Sequence, residues 1–468
     1  MKPARIHVVT LALGLHLACA SLGLAARAEE QTAGAATVKA SVPKEAERPP
    51  IRSRWDVSLY GFAELDFMHD STQSYAESAN ATPIARRGTY AGDRAQVVAT
   101  AKNSRLGFKV QAPEYAHLNA SAIFELDFFG NQPLDTSQND SSVFGTVRVR
   151  HAYFKLATPL VDVLAGQYHD LYGWGGSGFY PSSVAYLGLP GQIYHRNPQL
   201  RLSKTVGGSS LSVEMAVAAV RPVMRHSELP DFQAGARVAL GGWQGAASQG
   251  AAQPQLVPLS IGISAVGRKF VIPQFIGVPR NSQTVYGWGA AVNVAVPIVP
   301  VTSLEDRGNA LTLTAEYSRG TGIADLYTGT TAGAKFPELA NPGRLQPPPV
   351  YPQDVDGGLV TFDADLRAKT YNFSGFVVGA QYYLPVARGR VWVSANYGQI
   401  ALDNMLLLTP AASWGAVYEK ARYFDANLFV EPTPATLVGA SFQSTTQTYG
   451  DGAEPNNIRV QLSLLFFL

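Results

Sequence analysis

Cysteine is almost absent. The single one, Cys19, lies inside an apolar leader, so a chain freed of that leader carries neither thiol nor disulfide. A lipid-anchored reading of Cys19 wants leucine three positions earlier, where His16 stands. In the leader, Lys2 and Arg5 precede an apolar stretch from Ile6 to Ala26 and the small-x-small site Ala26-Arg27-Ala28, the pattern of a cleaved signal peptide over residues 1–28 with Glu29 as the mature start. Charge is sparse too, at 15% of residues, and loss of Lys2, Arg5 and Arg27 takes the formal net charge from +2 to about −1. That balance argues against a nucleic-acid partner. Beyond the leader there is no apolar run of the roughly 18 residues that a helix needs to cross a bilayer. The best stretch, Ala290 to Val301, is broken by Asn293, Pro297 and Pro300. Helical spans are excluded, and only a closed β-barrel, with every backbone group paired to a neighbouring strand, could carry such a chain through lipid.

Alternation is what the sequence has in place of long runs. The chain ends NNIRVQLSLLFFL, where Ile458, Val460, Leu462, Leu464, Phe466 and Leu468 fall on one face, and Arg459, Gln461 and Ser463 on the other. A terminus this apolar is the closing strand of a barrel, its outer face covered by lipid and its edge paired with strand one. In WDVSLYGFAELDF the same period puts Val57, Leu59, Ala63, Leu65 and Phe67 outward, and Ser58, Tyr60, Glu64 and Asp66 inward. About sixteen such segments follow, each long enough to cross a bilayer when tilted. They are placed at 56–69, 103–111, 118–129, 145–156, 160–168, 192–204, 211–221, 232–241, 257–268, 284–295, 310–319, 372–384, 389–399, 421–431, 436–446 and 457–468. Short connections such as Ala112-Pro113-Glu114 and Pro432-Thr433-Pro434 lie on one side. Long ones, including 70–93, 169–191 and 320–371, lie on the other, as in outer-membrane barrels. The fold class is therefore all-β, a transmembrane antiparallel barrel over 55–468 after a flexible periplasmic segment at 29–54.

The inward parity sets Glu64 and Asp66 on strand one opposite Glu125 and Asp127 on strand three, with Arg105 and Lys109 between them on strand two. Strand four points Arg148 and Arg150 inward, leaves Val147, Val149 and Tyr153 outward, and makes His151 an awkward outward residue. Arg201 and Arg237 also face inward. Acidic and basic ladders across a wet lumen make a transverse field that sorts ions by sign, although any wet lumen needs a polar wall. The glycine-rich, aromatic connection after strand five is suited to folding back into the barrel as a constriction, with Tyr168, His169, Asp170, Tyr172, Trp174 and Tyr180 as candidate linings; an ordinary surface loop is the alternative. Gly173 to Gly178 even satisfies G-x-G-x-x-G, but Phe179-Tyr180-Pro181 offers no helix to follow it, so no dinucleotide site is expected.

The ordered set YGFAELDF, NSRLGFKV, FELDFFG, RVRHAYFKL, Gly166-Gln167 and HRNPQLRL, over roughly residues 56 to 204, resembles the DcaP-like outer-membrane porins of Gram-negative bacteria. The resemblance implies a homotrimer of sixteen-stranded barrels in the outer membrane, an inward third loop, and passive diffusion of small anionic solutes such as dicarboxylates. Carried over residue by residue, Arg148 and Arg150 of RVRHAY and Arg196 and Arg201 of HRNPQLR become the candidate carboxylate groups of the constriction, because guanidinium forks bind carboxylates bidentately. Arg196 has the opposite parity to Arg201, which calls for a bulge at Pro198 or a place in the loop. The family's N-terminal heptads have no counterpart in Glu29 to Pro50.

Two other classes remain open. One is a barrel hydrolase, for which His69, His117, His151, His169, His195 and His226 supply raw material, though none stands in a hydrolase or zinc motif. The other is a surface adhesin or receptor using the 320–371 loop. Neither an enzyme activity nor a metal or cofactor is expected.

Overall fold

A computed structural model describes residues 55–75, 77, 83–130, 145–185, 188–223, 227–273, 282–327, 359–363, 365, 367–409 and 411–468. The expected signal peptide (1–28), the 29–54 segment and most of the 320–371 loop lie outside them. The strands are β1 (Asp56–Asp70), β2 (Gln96–Thr100), β3 (Arg105–Gln111), β4 (Asn119–Asp127), β5 (Arg148–Ala157), β6 (Asp162–His169), β7 (Arg196–Gly207), β8 (Ser212–Val220), β9 (Asp231–Ala247), β10 (Gln255–Pro273), β11 (Ser282–Val299), β12 (Leu311–Thr321), β15 (Asn372–Tyr383), β16 (Val391–Leu402), β17 (Tyr418–Thr433), β18 (Thr436–Tyr449) and β19 (Asn456–Phe467). A separate hairpin of β13 (Val360–Phe362) and β14 (Ala368–Thr370) sits in the long β12–β15 connection.

Each wall strand pairs antiparallel with the next, and β19 returns to β1 from Phe62↔Phe467 to Asp70↔Arg459. On its other side β1 pairs β3 along its first half and β2 along its second, so β2 and β3 are two pieces of one wall strand and the closed barrel has 16. Residues 101–104 interrupt that strand. There the Glu64 N–H bonds Ser104 Oγ at 2.9 Å in place of a backbone carbonyl. Alternation ends at such a side-chain substitution, which is why the sequence reading recovers the β3 half and misses β2.

The tail is closed in as its pattern requires. Ile458, Val460, Leu462, Leu464 and Phe466 point outward in an exposed apolar row that continues through Val57, Leu59, Leu65 and Phe67 of β1, while Arg459, Gln461 and Ser463 are buried inside. Such a belt is stable against lipid and unstable against water. Deleting residues 456–468 leaves the edges of β1 and β18 unpaired. The truncated chain is expected to lose the compact, heat-modifiable band of a folded barrel on electrophoresis.

The lumen is filled unevenly. At the long-loop rim, Ile323, Leu326, Tyr327, Leu359, Tyr371 and Met405 pack with Phe270, Phe373, Ile400, Tyr418 and Tyr449 of the β10–β18 walls into an apolar cap. At the short-turn rim, Tyr383, Trp392, Phe429, Leu437 and Leu465 form a second apolar cluster with Val184 and Ala246. The β9–β10 turn folds inward there: the Gly250 N–H donates to Pro181 O at 2.8 Å, and the Ser248 N–H to Gln381 Oε1 at 2.8 Å. The inward faces of β1–β9 toward the same rim differ. Ser58, Lys109, Gln111, Ser121, Lys155, Ser203, Thr205, Glu214 and Arg237 keep solvent access, so the wet part of the lumen hugs this side.

Candidate functional site

The connection from β6 to β7 lies across the lumen. Leu171, Tyr172, Trp174, Phe179, Tyr180, Val184, Leu189, Ile193 and Tyr194 are all at most 4% exposed. Water could not tolerate that apolar series on a surface loop; the barrel interior accepts it. One anchor is Trp174, whose Nε1 donates to Ile263 O at 2.9 Å. Its ring lies where a Cβ on Gly262 would come within 2.7 Å of it, so glycine at that position of β10 makes the space. At the far wall the Ser182 carbonyl accepts from Asn396 Nδ2 and Ser394 Oγ, both at 2.7 Å, and Ser183 Oγ donates to Asp425 Oδ2 at 2.6 Å. The Val184 N–H then meets Asn427 Oδ1 at 3.1 Å, and its carbonyl meets Gln461 Nε2 at 3.3 Å. The loop is thus fixed at both ends and at its tip.

Between its near end and β3–β7 lies a charged and aromatic cluster. It depends on a β-bulge: Glu125 pairs His151 but Leu126 pairs Val149, leaving Arg150 as the extra residue of β5. The extra residue resets parity, so Arg148, Arg150, His151 and Tyr153 all turn inward. This corrects the outward placement of His151 and Tyr153, which simple alternation requires. Arg148 binds Asp127 through both oxygens, at 2.9 and 2.6 Å. Arg150, 1% exposed, bonds Glu125 at 2.8 Å, Asp127 at 2.8 Å and the Tyr194 hydroxyl at 3.0 Å. Arg105 stands 3.6 Å from Glu125, and Tyr60 donates to the same carboxylate at 3.1 Å.

Arg196 occupies the first position of β7, and β6–β7 pairing runs without a shift past Pro198. Of the two expected arrangements, the bulge at Pro198 is absent, and Arg196 lies where the loop meets the strand. From the strand end Arg196 reaches round to the Tyr194 hydroxyl at 3.2 Å and stacks on its ring. Arg201 bonds Gln199 Oε1 at 3.0 Å and His169 O at 2.6 Å and covers Tyr168. Around them run ring contacts from Tyr153 to Tyr168 at 4.7 Å, His151 to His169 at 4.9 Å, His169 to Tyr194 at 5.4 Å and Tyr180 to Tyr194 at 5.3 Å.

Other residues singled out from the sequence fall elsewhere. Tyr172 joins the apolar cap, its hydroxyl donating to Ala290 O at 3.3 Å, and Trp174 packs against β9 and β10; neither borders the charged cluster. Asp170 is a buried tie point that accepts from Asn197 at 3.2 Å and Gln233 at 3.1 Å. Burial works against its ionisation, but the bonds from His195, Gln233 and Asn197 and the His195 charge hold its carboxyl below the usual range. Glu64 and Asp66 are met by the amide and hydroxyl groups of Asn103, Gln461 and Ser463. Arg237 bonds Glu214 at 2.8 Å and Ser177 O at 3.2 Å, and Lys109 faces the wet lumen. Sequence reasoning missed Tyr194, although it lies at the end of the aromatic connection already singled out, one residue before HRNPQLRL.

The crystal structure of the outer membrane channel DcaP of Acinetobacter baumannii matches this fold with a TM-score of 0.59, covering 88% of this chain and 97% of that one at 18% identity. The fold is that of an outer-membrane channel. The resemblance first seen in the β1–β7 motifs therefore holds at the level of architecture. OprB of Pseudomonas putida (TM-score 0.48, 12% identity, 88% and 94% covered) and an anion-selective porin from Comamonas acidovorans (0.46, 10%, 88% and 100%) lie farther off and say nothing about the site. No family model and no curated protein matches the chain.

Proposed function

We propose that the chain is an outer-membrane porin through which small hydrophilic anions of the carboxylate class diffuse, exported by its leader and assembled as a homotrimer. The observation that carries this reading is the convergence of four guanidinium groups in the cluster. Arg105, Arg148, Arg150 and Arg196 converge on one side of the lumen with Glu125 and Asp127 among them, beside its wet part. In a confined passage clustered guanidinium groups raise the local anion concentration, and they bind carboxylates weakly enough to release them when their own bonds are shared. Arg150 is spent on its neighbours and positions them. Arg148, with 34% of its side chain exposed, together with Arg196 and Arg105, can meet a solute.

In a planar bilayer under a salt gradient, the folded protein is expected to show stepwise currents with a reversal potential on the anion side. Arg105→Ala combined with Arg196→Ala should move it toward zero, since each removes a unit charge worth about twofold in local ion concentration at ~10 Å in water. An unchanged reversal potential in that variant rules out the arginine cluster as the selectivity element.

A further inference from the structure

The Tyr194 hydroxyl sits between two cations. Arg150 Nη2 donates to it at 3.0 Å from β5, and Arg196 Nη1 donates at 3.2 Å from β7. Both bonds run toward the oxygen, and a phenol that accepts two charge-assisted bonds is one whose anion is already solvated in place. On the assumption that the channel reading above holds, we propose that Tyr194 is a specificity-determining residue of the constriction, a phenol whose loss of its proton weakens the anion preference set by the surrounding arginines.

The surroundings support this from each packed element. Arg105 of β3 adds a third positive charge. Glu125 and Asp127 of β4 oppose ionisation, but both are engaged by Arg148 and Arg150. His151 of β5 and His169 of β6 are ring neighbours of the site, Tyr180 and His195 belong to the same loop, and Glu316 of β12 is occupied by the Ile193 N–H and Asn293. The Tyr194 N–H is held by the Leu326 carbonyl, and neighbouring Asp325 is paired with Arg268. Burial raises the phenol's pKa, yet the fields of Arg150, Arg196 and Arg105 outweigh it and bring the group down to about 7. Loss of the proton adds one negative charge directly beside Arg150 and Arg196.

The phenol loses its proton as pH rises, so anion preference falls with rising pH. Between pH 5.5 and 8.5 the anion-to-cation permeability ratio of the wild-type channel should drop by up to about fourfold, because one unit charge at ~10 Å shifts the local anion and cation concentrations about twofold each, in opposite directions. Burial works against a charged His195, but its contact with Asp170 raises its pKa, so this group changes charge with the same sign and the comparison with Tyr194→Phe decides. That variant keeps the ring and the fold and should lose the step. A pH titration of the ultraviolet absorbance of folded protein gives an independent readout: one tyrosinate should appear near neutrality in the wild type and be missing in Tyr194→Phe. If the variant keeps the wild-type pH step, or if no neutral-range tyrosinate is seen, the assignment is overturned. If the channel shows no anion preference even at pH 5.5, the porin reading fails while the absorbance titration still reports on Tyr194.

Discussion

Replacing Asp425 and Asn427 together with alanine should raise the single-channel conductance several-fold while leaving a folded barrel. Asp425 is fully buried and accepts from Ser183 Oγ at 2.6 Å, Asn396 Nδ2 at 2.6 Å, Asn427 Nδ2 at 2.7 Å and Tyr423 Oη at 2.8 Å. In the double variant three donors, on Ser183, Asn396 and Tyr423, lose this acceptor at once, and each buried donor left unmade costs about 1–3 kcal/mol. Asn427 holds the backbone of Val184 directly, so its loss frees the tip of the inward loop from β17 as well. The tip cannot recover these bonds on another surface, because the wall opposite is already committed; its cheapest option is to leave the far wall and satisfy its groups with water. Water then enters where the tip lay, and the current rises. Asp425→Asn alone keeps the shape and half the acceptor capacity and should give a smaller rise with noisier, flickering currents. Conductance equal to wild type in a double variant that still runs as a compact band would show that the tip does not limit flow.

The same tip marks where the sequence stops being legible. A period of two is enforced locally, because each wall strand has lipid on one side and polar or packed interior on the other, so strand positions and lumen parity for Glu64, Glu125 and Arg201 could be read off directly. Parity fails at one extra residue. The bulge at Arg150 reverses everything after it in β5, and nothing in RVRHAYFKL says that a residue will be skipped in pairing. Alternation also says that a side chain points inward without saying what it meets there. Trp174 and Tyr172 look like channel linings by composition, yet their partners, Ile263 on β10 and Ala290 on β11, are about a hundred residues away along the chain, as the separations of 89 and 118 residues record. The filling of the β10–β19 side depends on such distant contacts, above all those of Gly250 with Pro181 and Ser183, which no local pattern encodes.

The second large effect belongs to the opposite rim. Arg268→Met is expected to destabilise the barrel by about 3–5 kcal/mol and to detach the apolar cap, because it leaves two buried carboxylates without their cation. Arg268 joins Asp231 at 2.8 Å and Asp325 at 2.5 Å and also donates to Gly322 O at 3.0 Å, so one side chain ties β9 to the start of the β12–β15 connection. Both carboxylates are almost wholly buried, which means that neither can be rescued by water unless the segment carrying Asp325 lifts away. Lifting it withdraws Ile323, Leu326 and Tyr327 from the cap. Two readouts should move together: chemical unfolding of the detergent-solubilised variant at lower denaturant, and faster proteolysis near residues 322–327. The discriminating variant is the triple change Arg268→Met, Asp231→Leu and Asp325→Leu. A buried ion triad replaced by apolar groups of similar volume is often neutral or stabilising, whereas half of one is not. Recovery of stability in the triple variant would therefore assign the loss in Arg268→Met to stranded charge, and failure to recover would assign it to the lost packing and the Gly322 bond.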